Sequence, residues 1–401
     1  MNICFWIGNA YRTKWGTNRI ISTIANELSK THCVTLLVDD HSSAKSPYAY
    51  SDSIEVVELP NSHLVYKQSK RSISSIICSA IRVINNKTGL FNVSSRANTL
   101  RNIYYPKKIL NLFSRFINAQ TYDVVIATGH EILWLAIMSD MLSSSIKTIG
   151  WQHNSYYAYV NVRNSVFWRK EALLKAYLPK LHKFVLLNDY DADIYKNQLG
   201  IDATHIYNAL TLQSDIKADL SKKQFLFAGR LVQQKGIDTL IGAFNLFCQH
   251  NNDWKLVIAG DGPLRMKILK RVWASNLQAR VHLVGFVENM HDYYLDCSVL
   301  LMPSRYEGWG LVVTEAFEYG LPVIAFDITP MDLMIDSGEN GLLIPKENKE
   351  KFAAAMLKLA NDGERRIKMG EAATQKAEMF SLDKIVAQWE ALISDRRGES
   401  P

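Results

Sequence analysis

Short apolar runs recur along this chain, many of them followed by an amphipathic stretch, and that alternation limits the folds open to it. NICFWIG, DVVIATG, KFVLLN, QFLFAG, WKLVIAG, SVLLMP and PVIAF are rich in Val, Ile, Leu and Phe and show no apolar-polar alternation. Such runs suit strands of a parallel sheet buried on both faces. Between many of them lie segments with helical spacing, among them NRIISTIANELSK, GIDTLIGAFNLFCQH and KFAAAMLKLAND. The alternation predicts an α/β class built from doubly wound parallel sheets. A chain of 401 residues exceeds one ordinary core, so two such domains are expected. The polar stretch YNALTLQSDIKADLSKKQ lacks a strand signal and precedes a fresh strand at Phe225–Ala228. Residues 1–210 are therefore expected to form the first domain and 211–380 the second. Residues 381–401 read as a late helix with Ile385, Trp389 and Leu392 on one face, packing back towards the first domain.

The composition, 48% hydrophobic and 21% charged, is that of a globular protein. No apolar run reaches the roughly 18 to 20 residues of a membrane span. The opening residues MNICFWIGNA read as a strand ending at Gly8 rather than as a secretory leader. Cys4, Cys33, Cys78, Cys248 and Cys297 are odd in number, widely spaced and free of any C-x-x-C pair. Neither a disulfide framework nor a zinc site is expected, and free thiols suit the cytoplasm. Charge is distributed unevenly. Asn61 to Tyr122 contains no Asp or Glu, yet it holds ten Lys and Arg, against a net charge of +7 for the whole chain. Within it, PKKILNLFSRFINAQ sets cations beside Ile109, Leu112, Phe113 and Phe116. That pattern suits peripheral contact of residues 61–122 with an anionic membrane, or simply a solvated face. No nucleic-acid-binding module is legible, so nucleic acid is not an expected partner.

Ligands of doubly wound sheets sit outside the carboxyl ends of the strands. The loops after the strands are therefore where chemistry is sought. In FLFAGRLVQQKGIDTL, Arg230 and Lys235 stand between a strand and a helix N-terminus, an arrangement that binds anions. In SRYEGWGLVVTEAFEYGLP, Glu307 precedes a Gly-Trp-Gly turn and Glu315 lies roughly 7 Å along the following helix at 1.5 Å per residue. A glycosidase pair needs two carboxyl groups facing one bond. This spacing instead suits the two ends of one elongated ligand, with backbone amides at Trp309, Gly310 and Leu311 between them. Further candidates follow other strands: His153 in TIGWQHNSYY, and His130 and Glu131 in ATGHE. Gly16 stands before the helix of KWGTNRII, where Thr17 and Asn18 suit a cap. Gly260 and Gly262 in AGDGPLR suit tight turns. Asp39 and Asp40 follow a strand of the first domain, and no metal is expected there.

GRLVQQKG, AGDGPLR, MPSRYEGWGLVVTEA and EYGLPVIAF, in this order, resemble the second domain of the retaining family 4 glycosyltransferases. The resemblance is dense from Phe225 to Pro345 and thin before that. It implies a GT-B fold, two Rossmann-like domains facing a cleft. It assigns Arg230 and Lys235 to the donor diphosphate, together with Gly16 and the backbone at Trp309, Gly310 and Leu311. Glu307 and His153 would stand at the transferred sugar, Glu315 at the ribose, and Phe286 and Val287 at the nucleobase. Trp309 occupies a position where the family more often has Phe.

The implied reaction moves a hexose or N-acetylhexosamine from a nucleotide diphosphate sugar, a UDP-sugar by preference. The implied acceptor is a hydroxyl of a glycan or lipid-linked glycan in polysaccharide biosynthesis. The anomeric configuration would be retained, with no metal and no cofactor. Two alternatives stay open: a nucleotide-sugar epimerase or hydrolase, and a non-catalytic nucleotide-sugar-binding subunit.

Overall fold

A computed structural model of the chain describes residues 1–39, 46–60 and 73–395. The alternation of apolar runs and amphipathic segments becomes two parallel sheets. The chain divides into one unit of Met1–Ala209 with Ile385–Pro401 and another of Leu210–Lys384.

The first unit is built on β1 (Asn2–Trp6), β2 (Cys33–Asp39), β3 (Glu55–Leu59), β4 (Val124–Thr128), β5 (Lys147–Trp151), β6 (Lys183–Leu186) and β7 (Thr204–His205). Their order is β3-β2-β1-β4-β5-β6-β7, with every pairing parallel. Ile3 sits opposite Val34 on one side and Val124 on the other, so the direction of winding reverses between β1 and β4. β4 is buried at every position, as its unbroken apolar run requires.

The second unit holds β8 (Gln224–Ala228), β9 (Lys255–Ala259), β10 (Val281–Gly285), β11 (Val299–Met302), β12 (Val323–Phe326) and β13 (Gly341–Ile344). Their order is β10-β9-β8-β11-β12-β13, again all parallel. Here the winding reverses between β8 and β11. Phe225 packs against Trp254 and Phe247, with ring centroids 4.5 and 5.2 Å apart.

The basic segment is put together differently from the sequence expectation. Lys67, Lys70 and Arg71 lie outside the described residues. The helix over Lys107–Asn118 buries Leu110, Phe113 and Ile117, and Ile109, Leu112 and Phe116 pack against the same core. Phe113 meets the rings of Trp6 and Trp134 at 5.9 and 5.5 Å. The apolar face read as membrane-seeking is thus occupied by the protein's own interior. Exposed apolar side chains of the segment lie elsewhere: Ile77, Val83 and Ile84 on the helix Ile73–Thr88, then Leu90 and Val93. Among the described residues, no helix is long and apolar enough to cross a membrane.

The last helix, Leu382–Ser394, docks on the first unit. Ile385, Trp389 and Ile393 are buried, while Leu392 is only partly so, because steps of four keep one face towards the core. Trp389 meets Trp151 edge-on at 4.6 Å. Glu390 accepts from His32 at 2.8 Å, and Lys147 Nζ donates to the Ile393 carbonyl at 3.0 Å near the helix end. Trp389→Ala should destabilise the first unit by about 3–5 kcal/mol, read as a lowered urea midpoint. A change below about 1 kcal/mol would mean that the helix is held mainly by its polar ends.

Candidate active site

Two loops meet where the winding of the second sheet reverses. One follows β8 and carries Arg230 and Lys235. The other follows β11 and carries Glu307. Gly236 joins them closely: its φ is +62°, and a Cβ there would lie 1.8 Å from the Pro303 carbonyl oxygen. Only glycine permits both that φ and that approach. Gln234 Nε2 donates to the Tyr306 carbonyl at 3.0 Å, and the Arg305 amide donates to the Gln234 carbonyl at 2.7 Å.

The structure brings Lys235 and Glu307 into direct contact, Nζ to Oε1, at 2.6 Å. Both are largely buried, with side chains 20% and 7% exposed, so water screens the pair little. Arg230 is different. Its side chain is exposed and has no hydrogen bond or ion pair with the described residues. Beyond Glu307, Trp309 is buried edge-on against Phe380 at 5.3 Å. Gly310, at φ +104°, then turns the chain into the helix Leu311–Glu318. The first N–H groups of any helix lack an intrahelical acceptor. The Glu307 loop therefore leads straight into a set of open donors.

Glu315 lies on the fifth residue of that helix and is only 1% exposed. Oε1 accepts from the Thr211 hydroxyl and Oε2 from the Tyr294 hydroxyl, each at 2.7 Å. Tyr294 is stacked on Tyr319 at 5.0 Å, and the Tyr319 hydroxyl meets His291 Nδ1 at 2.8 Å. Phe286 and Val287 follow β10, the edge strand, and Phe286 is 50% exposed.

Sequence reading did not find Arg305, Thr211 or Tyr294. Arg305 binds Asp238 through both guanidinium ends, at 2.9 and 3.2 Å, and pairs with Glu347. Its position beside Glu307 was the one available signal. Thr211 and Tyr294 are far from Glu315 in sequence and offered none.

In the first unit, His153 follows β5 and its ring lies 4.1 Å from that of Trp151. Burial pushes its pKa down to about 3, so the imidazole is neutral. Neither ring nitrogen has a hydrogen-bond partner among the described residues. Buried polar groups are ordinarily satisfied, and among the described histidines this ring has both nitrogens buried and unpartnered. Gly16 opens the helix Gly16–Leu28 and is exposed. Thr17 and Asn18 do not cap that helix. Trp15 is the N-cap, and Asn18 instead donates to the carbonyls of Tyr11 and Thr13 at 2.8 and 3.1 Å.

The winding of the first sheet reverses beside a second acidic group. A Cβ on Gly8, after β1, would lie 2.3 Å from Glu131 Oε1 and 3.2 Å from Asp39 Oδ2. Burial, reinforced by the Asp39 charge, raises the Glu131 pKa to about 8. His130, beside it, is exposed. Because the folded-state pKa of Glu131 is raised, its contribution favours folding at low pH and fades as pH rises from about 4.5 to about 8. The first unit should therefore lose thermal stability between pH 5 and 9, and Glu131→Gln should flatten that slope, as followed by circular dichroism melts. An unchanged slope would remove Glu131 as its source.

Residues 211–376 match the family described as "Glycosyl transferases group 1". An uncharacterized glycosyltransferase of Haemophilus influenzae is 25% identical over 317 residues, covering 77% of this chain and 86% of that protein. The amylovoran biosynthesis glycosyltransferase AmsD of Erwinia amylovora is 29% identical over 197 residues, 49% of this chain; the match spans 54% of that protein, so little more than half its length is shared. Among solved structures, TarM of S. aureus, crystallised with fondaparinux, alpha-GlcNAc-glycerol and UDP, superposes with a TM-score of 0.74 at 17% identity, over 98% of this chain and 100% of that one. Sucrose-phosphate synthase of Thermosynechococcus elongatus also gives 0.74 at 17%, over 98% of each chain. The loops that join Lys235 to Glu307 thus lie within the stretch, residues 211–376, that matches the glycosyl transferases group 1 family, in a chain of GT-B fold.

Proposed function

We propose that the chain is a retaining glycosyltransferase that moves a hexose or N-acetylhexosamine from a UDP-sugar to a hydroxyl of a glycan or lipid-linked glycan in polysaccharide assembly. The observation that carries this reading is the contact of Lys235 with Glu307 at the β8/β11 reversal, beside an exposed Arg230 and the N-terminus of the helix Leu311–Glu318. A cation that already has a buried carboxylate, next to one that has no partner among the described residues, suits a ligand with a diphosphate and an adjoining sugar. The diphosphate would engage Arg230, Lys235 and the amides at Trp309, Gly310 and Leu311, with Gly16 assigned to it by the resemblance alone. The sugar would engage Glu307.

Glu315 accepts from the hydroxyls of Thr211 and Tyr294, and an ionised carboxylate offers about four lone-pair sites. It would accept the ribose hydroxyls, with the nucleobase near Phe286 and Val287. The neutral, unsatisfied imidazole of His153 would bond a hydroxyl of the transferred sugar. Chemistry would proceed by front-face departure of the diphosphate. Arg230, Lys235 and the helix N-terminus would stabilise its growing charge, and the leaving phosphate would accept the acceptor proton. Neither metal nor cofactor enters this scheme. Ile77, Val83, Ile84, Leu90 and Val93, exposed beside Lys87 and Arg96, would rest on an anionic membrane surface at the cytoplasmic face.

Calorimetric titration with UDP, GDP and their hexose conjugates, without added metal, tests the donor assignment. Micromolar binding of UDP is expected, weakened at least about tenfold in Glu315→Ala, a loss near 1.4 kcal/mol. Unchanged affinity in that variant would refute the ribose role. Arg230→Ala should lower kcat by about 10²-fold or more with a smaller effect on KM, since diphosphate charge grows in the transition state. A pure KM effect would show that Arg230 only holds the ground state. An inverted anomeric centre in the product would exclude the retaining mechanism.

A further inference from the structure

The first unit holds a pair of cations that the donor reading does not use. Arg82 lies on the helix Ile73–Thr88, and Lys170 immediately precedes the helix Glu171–Tyr177. They are distant in sequence but converge on one aromatic ring. The Arg82 guanidinium carbon is 5.5 Å from the Tyr104 ring centroid, and Lys170 Nζ is 5.3 Å from it. Both side chains are partly buried, and both remain partly open to solvent.

Neither has an acidic partner among the described residues. Arg82 donates from Nε to the Ile103 carbonyl at 3.0 Å and from a terminal nitrogen to the same oxygen. Lys170 Nζ donates to the Val166 carbonyl at 2.9 Å. The neighbouring Glu171 is taken by Asn92. The two charges act on each other and are partly stripped of water, a cost that a shared anion would offset. Burial and the nearby Arg82 charge lower the Lys170 pKa to about 8, the effect expected of an ammonium without a counter-ion.

The surroundings are rigid rather than accidental. Tyr104 donates its hydroxyl to Asn86 Oδ1 at 2.8 Å, and Trp168 Nε1 donates to the Asn86 carbonyl at 3.0 Å. Asn85 Nδ2 donates to the Arg169 carbonyl at 2.9 Å. These bonds lock the segment before Lys170 onto the helix that carries Arg82. A guanidinium fork can bond two oxygens of a phosphoryl group while an ammonium point charge meets a third.

We propose that Arg82 and Lys170, set over Tyr104, form a binding site for a phosphoryl group. Resting on the proposed transfer reaction, the first unit takes the acceptor and that phosphoryl group belongs to it, so the substrate class narrows to phosphorylated or phosphate-linked glycans. Aromatic Tyr104 would pack against whatever the phosphate is attached to.

The test is calorimetric titration of the full chain with phenyl phosphate, in excess UDP so that the donor loops are occupied. Binding at one equivalent is expected. It should weaken at least about tenfold in Lys170→Gln and in Arg82→Gln and be largely kept in Lys170→Arg. Melting midpoints measured in parallel separate lost binding from lost folding, and Lys170→Gln is the decisive variant because its side chain bonds only one local carbonyl. Equal affinity in that variant would overturn the site. The comparison is between variants outside the donor loops, so a failure of UDP to bind would refute the donor reading without touching this one. A parallel arm uses vesicles containing phosphatidylglycerol. Binding to vesicles alone, lost in both variants, would assign the phosphoryl group to a lipid headgroup instead of the acceptor. Binding to neither probe would overturn the proposal.

Discussion

Arg305 is the tie on which the geometry of the second unit's loops depends. Its amide holds the turn after β8, its guanidinium grips Asp238 in the first turn of the next helix, and the same group pairs with Glu347 beyond β13. One planar fork therefore fixes three loops that the sheet alone would leave independent. A lysine has a single point charge and could not span them. Glu307 lies two residues further on, and its 2.6 Å contact with Lys235 is a consequence of where Arg305 sets the loop. The glycine at 236 allows the approach, and the arginine holds it.

The Lys235–Glu307 pair shapes what the site asks of a ligand. In the absence of one, each charge offsets the other's lost hydration. A diphosphate that draws on Lys235 must then leave Glu307 with replacement donors, and sugar hydroxyls are suitable ones. A ligand with phosphate alone would break the pair and return nothing to the carboxylate. On the proposed donor reading, a diphosphate joined to a sugar would bind more tightly than the nucleotide diphosphate alone. Buried pairs are better understood as specificity devices of this kind than as sources of stability.

The class of fold was legible in the sequence because doubly buried strands leave continuous apolar runs, and such runs with helices between them have few other solutions. The motif loops were legible for the same reason: each follows a strand, and carboxyl ends are where doubly wound sheets present their loops. What escaped depended on contacts between distant residues. Thr211 and Tyr294 meet Glu315 only because of the path of the chain, and no local pattern marks them. The helix Lys107–Asn118 shows how periodicity misleads. An amphipathic stripe tells that a face is buried but not what buries it. Here Trp6 and Trp134 do, and the exposed apolar residues sit on a neighbouring helix.

The two units differ in how far their polar groups satisfy one another. In the second, Glu315 has two hydroxyl donors and Glu307 has a lysine, while Arg230 has no partner among the described residues. In the first, among the described residues, both nitrogens of His153 are unpartnered, Glu131 is crowded by Asp39, and Arg82 and Lys170 share one ring without an acid. Buried polar groups left open are costly unless a ligand completes them. The partner proposed for the first unit would answer these deficits: hydroxyls to satisfy a neutral imidazole, and negative charge for two cations over one ring. A neutral oligosaccharide supplies the first requirement and not the second, whereas a phosphate-bearing glycan supplies both.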